Sequence, residues 1–536
     1  MYDKVMKNMK KSAIVTGLIV ASAMANPSSN KANAAVELPS IINDNMVLQR
    51  ETDAAIWGWD APNTKVSILF RGKQYVAAVD GDGRWTTRVA SGAAGTSFPL
   101  TIKGSSSVTL KNVAVGEVWI AGGQSNMWWH VSNSRDAATE AKNGDLPMIR
   151  VWDATINSPS QGGFHATTPQ RTVNAQWKIA TPQNVPDFPG VPYFFARELQ
   201  KKLGVPVGIV HVAVPGTDIE LHMNAPTVRA ILPQMTEIAD LKKQLYPQQK
   251  QAFDSARATW ENTKAAVEKA GKPVPEEPKA LENPDNANYA GSLYNGMVAP
   301  AAPFTAKGFL WWQGENNAGR ADQYRVLFPA LIDDWRKLWK DDTLPFLFVE
   351  LANFGPRQSE SEPVRDDAWP AMRDAQRSAL SSPKTYRIAA IDILDSEPQG
   401  ASWNIHPINK QLAGNRLFLT ALANVYGDKA VTWSGPVFSS AAFKSQIATV
   451  VFSHATGLKP REGTQLKGFA IAGADRKWFS AQAKIVGNTV VLSSKDVTKP
   501  VAVRYDWHIS PNGNLVNSAG LPMFPFRSDK WNLMTQ

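Results

Sequence analysis

Polar and apolar positions change rhythm twice along this chain. From Ala35 to about Lys111, short apolar runs (Ala54–Trp59, Lys65–Phe70, Phe98–Ile102) alternate with turn-forming clusters such as Asp60 to Thr64 and Asp80 to Arg84. Strands at roughly ten-residue spacing with such punctuation predict a small β-sandwich or barrel over residues 35–112. From about Val113, continuous apolar runs at Glu117–Ala121, Val207–Val214, Gly308–Trp312, Phe346–Leu351 and Tyr386–Ile391 read as buried strands of a parallel sheet. Helical periodicity over Phe194–Leu203, Gln323–Trp339, Ala371–Leu380 and Lys410–Tyr426 fills the intervals, with Gly204 and Gly427 placed where a helix end favours a left-handed residue. The alternation predicts an α/β domain over 113–430, a sheet covered by helices on both faces, with ligands at the carboxyl ends of its strands. Residues 225–290, rich in Lys, Glu, Gln and Ala and carrying a Pro-rich PVPEEP segment, predict a helical insertion that covers surface. Short strands return over 431–536 as a second β-rich domain.

The first residues change the picture of where the chain works. Lys4, Lys7, Lys10 and Lys11 precede an uncharged run of 14 residues, Ser12 to Ala25, followed by small-residue patterns at Ala23-Met24-Ala25 and Ala32-Asn33-Ala34. This is the form of a secretory signal peptide over residues 1–34, and the run is shorter than the roughly 20 residues that span a bilayer. The expectation is a mature chain with no membrane span, in the periplasm or secreted. The formal charge of +10 is scattered, with no basic run longer than two residues, so a nucleic-acid partner is not expected. Cysteine is absent from all 536 residues, which excludes disulfides and cysteine nucleophiles. The sequence leaves the oligomeric state open.

Candidate chemistry lies at three strand ends. Gly122 and Gly123 precede Gln124-Ser125-Asn126-Met127, a serine at a tight strand-to-helix turn, where a nucleophile is held exposed. Pro215-Gly216-Thr217 follows the second strand, with an unshielded glycine N–H. Gln313-Gly314-Glu315-Asn316-Asn317 follows the third, with amide donors. With the Ser125 N–H these form a three-donor oxyanion hole suited to acyl transfer. A serine nucleophile needs a base, and of seven histidines His211 falls in a buried strand, His130 and His222 lie near candidate loops, and His406 occupies a loop just before the last helix.

The blocks Gly123–Met127, Trp312–Asn317 and Ile405-His406-Pro407 followed by Asn409-Lys410-Gln411 resemble those of the sialate O-acetylesterase-like branch of the SGNH hydrolases. Asn45–Gln49, Trp57–Trp59, Tyr294–Pro300, Val503–Tyr505 and Gly520–Arg527 extend the resemblance over nearly the whole mature chain. It implies a serine esterase of flavodoxin-like fold that removes O-acetyl groups from carbohydrates; with the leader and the two β-rich domains read above, the expectation is an exported esterase whose hydrolase domain is flanked by β-rich domains, without metal or other cofactor. Sialic acid, xylan, xyloglucan and pectin are the candidate parent glycans. Ser125 is then the nucleophile and His406 the general base, with Gly216 and Asn317 as oxyanion donors. Gln124, Trp128, Trp403 and Glu315 are expected substrate contacts, with Glu315 also a candidate acceptor that holds the Asn317 loop. Three departures stand out. Trp403 and Asn404 occupy positions where the family often has an aspartate before the histidine, leaving Asn404 or a nearby acid, Asp395 ahead of Asp392 and Glu397, to orient His406. Pro215 replaces a glycine that would donate an N–H. Trp128 replaces a glutamate at the mouth. A catalytically impaired carbohydrate-binding protein of the same fold is the alternative, and a lipase or thioesterase a further rival.

Overall fold

The computed structural model describes residues 35–155, 164–270, 273–278, 289–359, 364, 366–396 and 404–533. The expected signal peptide and Trp403 lie outside the described residues, as does the side chain of Asp395. Strands β1 (Val47–Gln49), β2 (Asp53–Trp59), β3 (Lys65–Phe70), β4 (Lys73–Ala78), β5 (Arg84–Ala90) and β6 (Gly95–Lys103) form the N-terminal β unit. Its buried faces follow the alternation of the sequence: Val66, Ile68 and Phe70 point inward on β3 while Lys65 and Leu69 face water.

The next strand, β7 (Ser107–Gly123), joins this unit to the rest. Its first half pairs antiparallel with β6 and parallel with β1. Its second half is the centre of the α/β sheet, between β10 (Val207–His211) and β11 (Gly308–Trp312). The expected boundary at residues 112/113 therefore falls inside one continuous strand, and the change of rhythm there marks a change of neighbours. Beyond β11 come β12 (Phe346–Val349) and β13 (Thr385–Ile388), all parallel; on the other edge stand β8 (Leu146–Asp153) and the antiparallel β9 (Trp177–Ala180). Numbering the parallel strands β7, β8, β10, β11, β12 and β13 as 1 to 6, the order across the sheet is 2-3-1-4-5-6. That order places the point where the chain changes sides at the carboxyl end of β7.

Helices cover both faces. The turn α1 (Ser125–Trp128) follows β7, and α2 (Gly190–Leu203) ends at Gly204 in the left-handed conformation. Helices α3 (Ala225–Ile231) and α4 (Pro233–Lys269) occupy the expected insertion. They are followed by α5 (Ala321–Trp339), α6 (Ala368–Gln376) and α7 (Lys410–Asn424). Trp311 and Trp312, adjacent on β11, point to opposite faces, and both are fully buried: Trp311 packs with α5 and Trp312 in the cluster of α2 and α7. The C-terminal strands, including Ile447–Ser453, Phe469–Ala472, Thr489–Ser493 and Ala502–Tyr505, form small antiparallel sheets around their own core. Among the described residues no helix is long and apolar enough to cross a membrane.

Candidate active site

Three loops meet where the order of the sheet reverses. Register aligns Gly123 at the end of β7 with Trp312 at the end of β11, Gln124 N–H donates to the Trp312 carbonyl (2.9 Å), and Val214 N–H donates to the Gly123 carbonyl (3.0 Å). Gly123 has φ 133, and a Cβ there would stand 2.1 Å from the Trp312 carbonyl oxygen, so only glycine lets the chain turn this tightly against its neighbour. Ser125 is therefore delivered as the first residue of α1 rather than as its cap, nearly buried at 9% exposure.

The loop after β10 turns at Gly216, with φ 66 and nothing within 4 Å of where a Cβ would sit. Behind it, Thr217 Oγ1 donates to the Val214 carbonyl (2.7 Å) and so accepts from His222 Nε2 (2.9 Å). His222 is fully buried and edge-on to Trp311, and burial pushes it down to about 3, so it stays neutral and serves as a fixed donor.

The loop after β11 is tied to both others. Gln124 Oε1 accepts from the N–H groups of Gly314 and Asn316, each at 3.3 Å. The Asn317 side chain is held on both ends. Its Oδ1 accepts from Ile219 N–H (2.9 Å) and Gln313 Nε2 (2.6 Å), and its Nδ2 donates to Glu220 Oε2 (3.1 Å). Glu220 is in turn paired with Arg320 at 2.8 Å. With both oxygen lone pairs used, the amide cannot flip, and one Nδ2–H is left to donate.

His406 comes from the loop before α7. Its ring stacks on Trp129 (centroids 4.6 Å apart, 23° between planes), and the carbonyl of Ile405 accepts from Asn126 Nδ2 at 3.0 Å. The residues flanking Ser125 and His406 are thus bonded to each other. Burial, and then the charge of Lys410, push the imidazole down to about 4. Asn404 does not face the ring: its Oδ1 accepts the backbone N–H of His406 (2.9 Å), shaping the loop as an Asx turn. Asp392 is committed elsewhere, to Arg416 through two 2.7 Å bonds.

Two expected substrate contacts have another task in the structure. Gln124 (4% exposed) ties the β11 loop, and Glu315 (8%) accepts from Asn126 Nδ2 at 2.7 Å, its carboxyl pushed up by burial. Gln124 stands beside the nucleophile candidate and Glu315 two residues before the oxyanion candidate Asn317, and their pattern does not reveal whether they face the cleft or the next loop. Trp128 is half-buried at the mouth, 4.2 Å from the ring of His130. His211 pairs with Asp153 in the core (2.9 Å), at the carboxyl end of β10. Glu220 carried no sequence signal. Asn126 and Lys410 stand inside the motif blocks, where the pattern assigns them no role, and Trp129 stands beside one as a candidate sugar-stacking ring. Among the described residues, no group of three or more His, Asp or Glu side chains has the geometry to hold a metal ion.

A family model described as carbohydrate esterase, sialic acid-specific acetylesterase matches residues 281–403. The sialate O-acetylesterase of Mus musculus is 25% identical over 520 residues, spanning 90% of this chain and 91% of that protein. That of Homo sapiens is 26% identical over 431 residues, spanning 74% and 72%. The crystal structure of a carbohydrate acetylesterase from Xanthomonas citri matches with a TM-score of 0.76 at 33% identity, covering 93% of this chain and all (100%) of that one. Fold, site and likeness define a carbohydrate esterase. Within that class, the chain belongs to the sialate O-acetylesterase-like family. These likenesses favour an enzyme over the carbohydrate-binding alternative.

Proposed function

We propose that this carbohydrate esterase is an exported serine O-acetylesterase of flavodoxin-like SGNH type, its hydrolase domain spanning about residues 113–430 between two β-rich domains. The observation that carries the reading is the convergence of the Ser125, Gly216, Asn317 and His406 loops at the carboxyl ends of β7, β10 and β11. Ser125 Oγ attacks the acetyl carbonyl carbon while His406 takes the hydroxyl proton. The carbonyl electron pair moves to oxygen, where the N–H groups of Ser125 and Gly216 and the free Nδ2–H of Asn317 receive it. Collapse of that adduct breaks the bond to the sugar oxygen, which leaves with the proton from His406. Water, deprotonated by the same imidazole, then attacks the acetyl-serine carbon, and acetate departs. Because His406 is held near 4, it is neutral and ready to accept a proton at ordinary pH. Residues 1–34 are assigned as the export leader, a cleavage that N-terminal sequencing of periplasmic and extracellular fractions reads directly.

The substrate is an acetylated carbohydrate. Acetate release from O-acetylated sialic acids, xylan, xyloglucan and pectin, measured beside the Ser125→Ala protein, tests the reading and names the glycan. Serine-dependent release is expected. Turnover by Ser125→Ala at the wild-type rate sinks the nucleophile assignment, and no release by a folded wild type moves the function to carbohydrate binding.

A further inference from the structure

Asn126 spends every polar atom of its side chain on a different element. Nδ2 donates to Glu315 Oε1 in the loop after β11 (2.7 Å) and to the Ile405 carbonyl in the histidine loop (3.0 Å), while Oδ1 accepts from Lys410 Nζ at the start of α7 (2.5 Å). Lys410 is fully buried, with its ammonium 4.8 Å from the centre of the Trp312 ring and 5.6 Å from that of Trp129. Trp129 is the ring that stacks on His406.

Stability alone does not explain this lysine. A buried ammonium carries a desolvation penalty of several kcal/mol. It also stands on the first residue of a 15-residue helix, the end where the macrodipole disfavours a cation. An apolar side chain of that length would fill the same space without either cost.

We propose that Lys410 is a positioning residue: through Asn126 and Trp129 it fixes the spacing between the Ser125 turn and the His406 loop, and it sets a permanent positive charge beside the imidazole. The proposal rests on the Ser125–His406 reading above. Among the described residues, the charge facing His406 is Lys410 of α7; α1 presents only the neutral Asn126 and Trp129. From the loop after β11, Glu315 faces Asn126 and Lys410 rather than the imidazole, and Asp392 faces Arg416. The fixed charge makes the imidazolium formed during the reaction a stronger acid. The proton is therefore handed on readily to the departing sugar oxygen, in a chain where Asn404 stands before the histidine instead of a carboxylate. The lowered pKa of His406 agrees with that arrangement.

The test is the pH profile of kcat/KM for one O-acetylated sugar, measured on the full chain. In the wild type the acid limb should lie near 4. Lys410→Met should move that limb up by about one pH unit or more and lower the plateau roughly tenfold or more. Lys410→Arg, which keeps the charge, should hold the limb in place. Asn126→Ala, which breaks the bridge and keeps the charge, should lower kcat roughly tenfold or more with KM within about twofold and the limb unmoved. A folded Lys410→Met with an unmoved limb overturns the proposal, since a lysine that only packs would change stability and not the titration. If Lys410→Met does not fold, a shifted limb in Lys410→Arg, or an unchanged kcat in Asn126→Ala, overturns it. Ser125→Ala separates the two levels: activity retained there defeats the underlying reading, whereas a dead Ser125→Ala with an unmoved Lys410→Met limb defeats this proposal alone.

Discussion

An amide side chain is a good oxyanion donor only when it is forbidden to turn its oxygen toward the substrate. Asn317 meets that condition because Ile219 N–H and Gln313 Nε2 occupy its oxygen and Glu220 takes one of its two N–H bonds. Removing one such donor typically costs 10²–10³-fold in kcat, which is the loss expected for Asn317→Ala. Glu220→Ala leaves the amide in place and releases its nitrogen end, so a smaller loss of about tenfold is expected, carried by kcat with KM little changed. Steady-state kinetics on one acetylated sugar, with all three proteins compared, reads both numbers. A Glu220→Ala protein with wild-type kcat would show that the two bonds on Oδ1 suffice.

At the scale of elements, the site depends on how each strand hands over to its loop, and two glycines do this differently. Gly123 is locked by its neighbour: a methyl group would meet the Trp312 carbonyl at 2.1 Å, and backbone cannot step aside. Gly216 has a similarly unusual φ of 66 but open space around it. Gly123→Ala should therefore cost roughly 2–4 kcal/mol in urea unfolding, while Gly216→Ala should cost about 1 kcal/mol, the penalty of the left-handed backbone alone. The same contrast governs what could be read from the chain. The strands β11 and β12 are continuous apolar runs, buried on both faces, and the sequence pattern finds them; β10, which ends in His211, and β13, which holds Arg387, are found through the apolar residues beside them. It misses β8, whose middle holds the buried Arg150; Nη1 of that side chain donates to the carbonyls of Asn45 (2.9 Å) and Asn112 (2.5 Å) from distant parts of the chain. It misses β9 (Trp177–Ala180), where Lys178 stands between Trp177 and Ile179 and no apolar run forms. At the site, the loops bearing Ser125, Gly216, Asn317 and His406 are legible because strand-end position and residue type coincide. The inward turn of Gln124 and Glu315, and the role of Asn126 between two loops some 280 residues apart, depend on pairings that local pattern does not encode.

Across the whole molecule, the C-terminal β unit is fastened to the α/β sheet through charges that are out of water. Arg373 on α6 donates to the carbonyls of Leu351 (2.9 Å) and Ala352 (2.9 Å) just past β12, and also to those of His508 (2.7 Å) and Ile509 (3.0 Å) in the C-terminal unit. Asp506 lies two residues before that contact, fully enclosed, with Oδ1 accepting from Gly513 N–H (2.8 Å) and Oδ2 buried without a hydrogen-bond partner among the described residues. Burial pushes its carboxyl up to about 7, more than the nearby arginines pull it down. A raised pKa means that the folded state holds a proton the unfolded state has lost. The stabilising contribution is complete below about 3.8 and disappears as pH rises toward 7, at roughly 1.4 kcal/mol per pH unit, with no further change above. His406 and His222 act in the opposite direction: held near 4 and 3, they contribute stability above about 6.5 that is lost as pH falls. The Asp506 effect is therefore read as a difference. The unfolding free energy of wild type minus that of Asp506→Asn, measured at intervals from pH 4.5 to pH 8, should fall across the range to 7 and then level. A flat difference would mean that Asp506 is ionised in the folded protein and that the Arg373 clamp supplies the counter-charge.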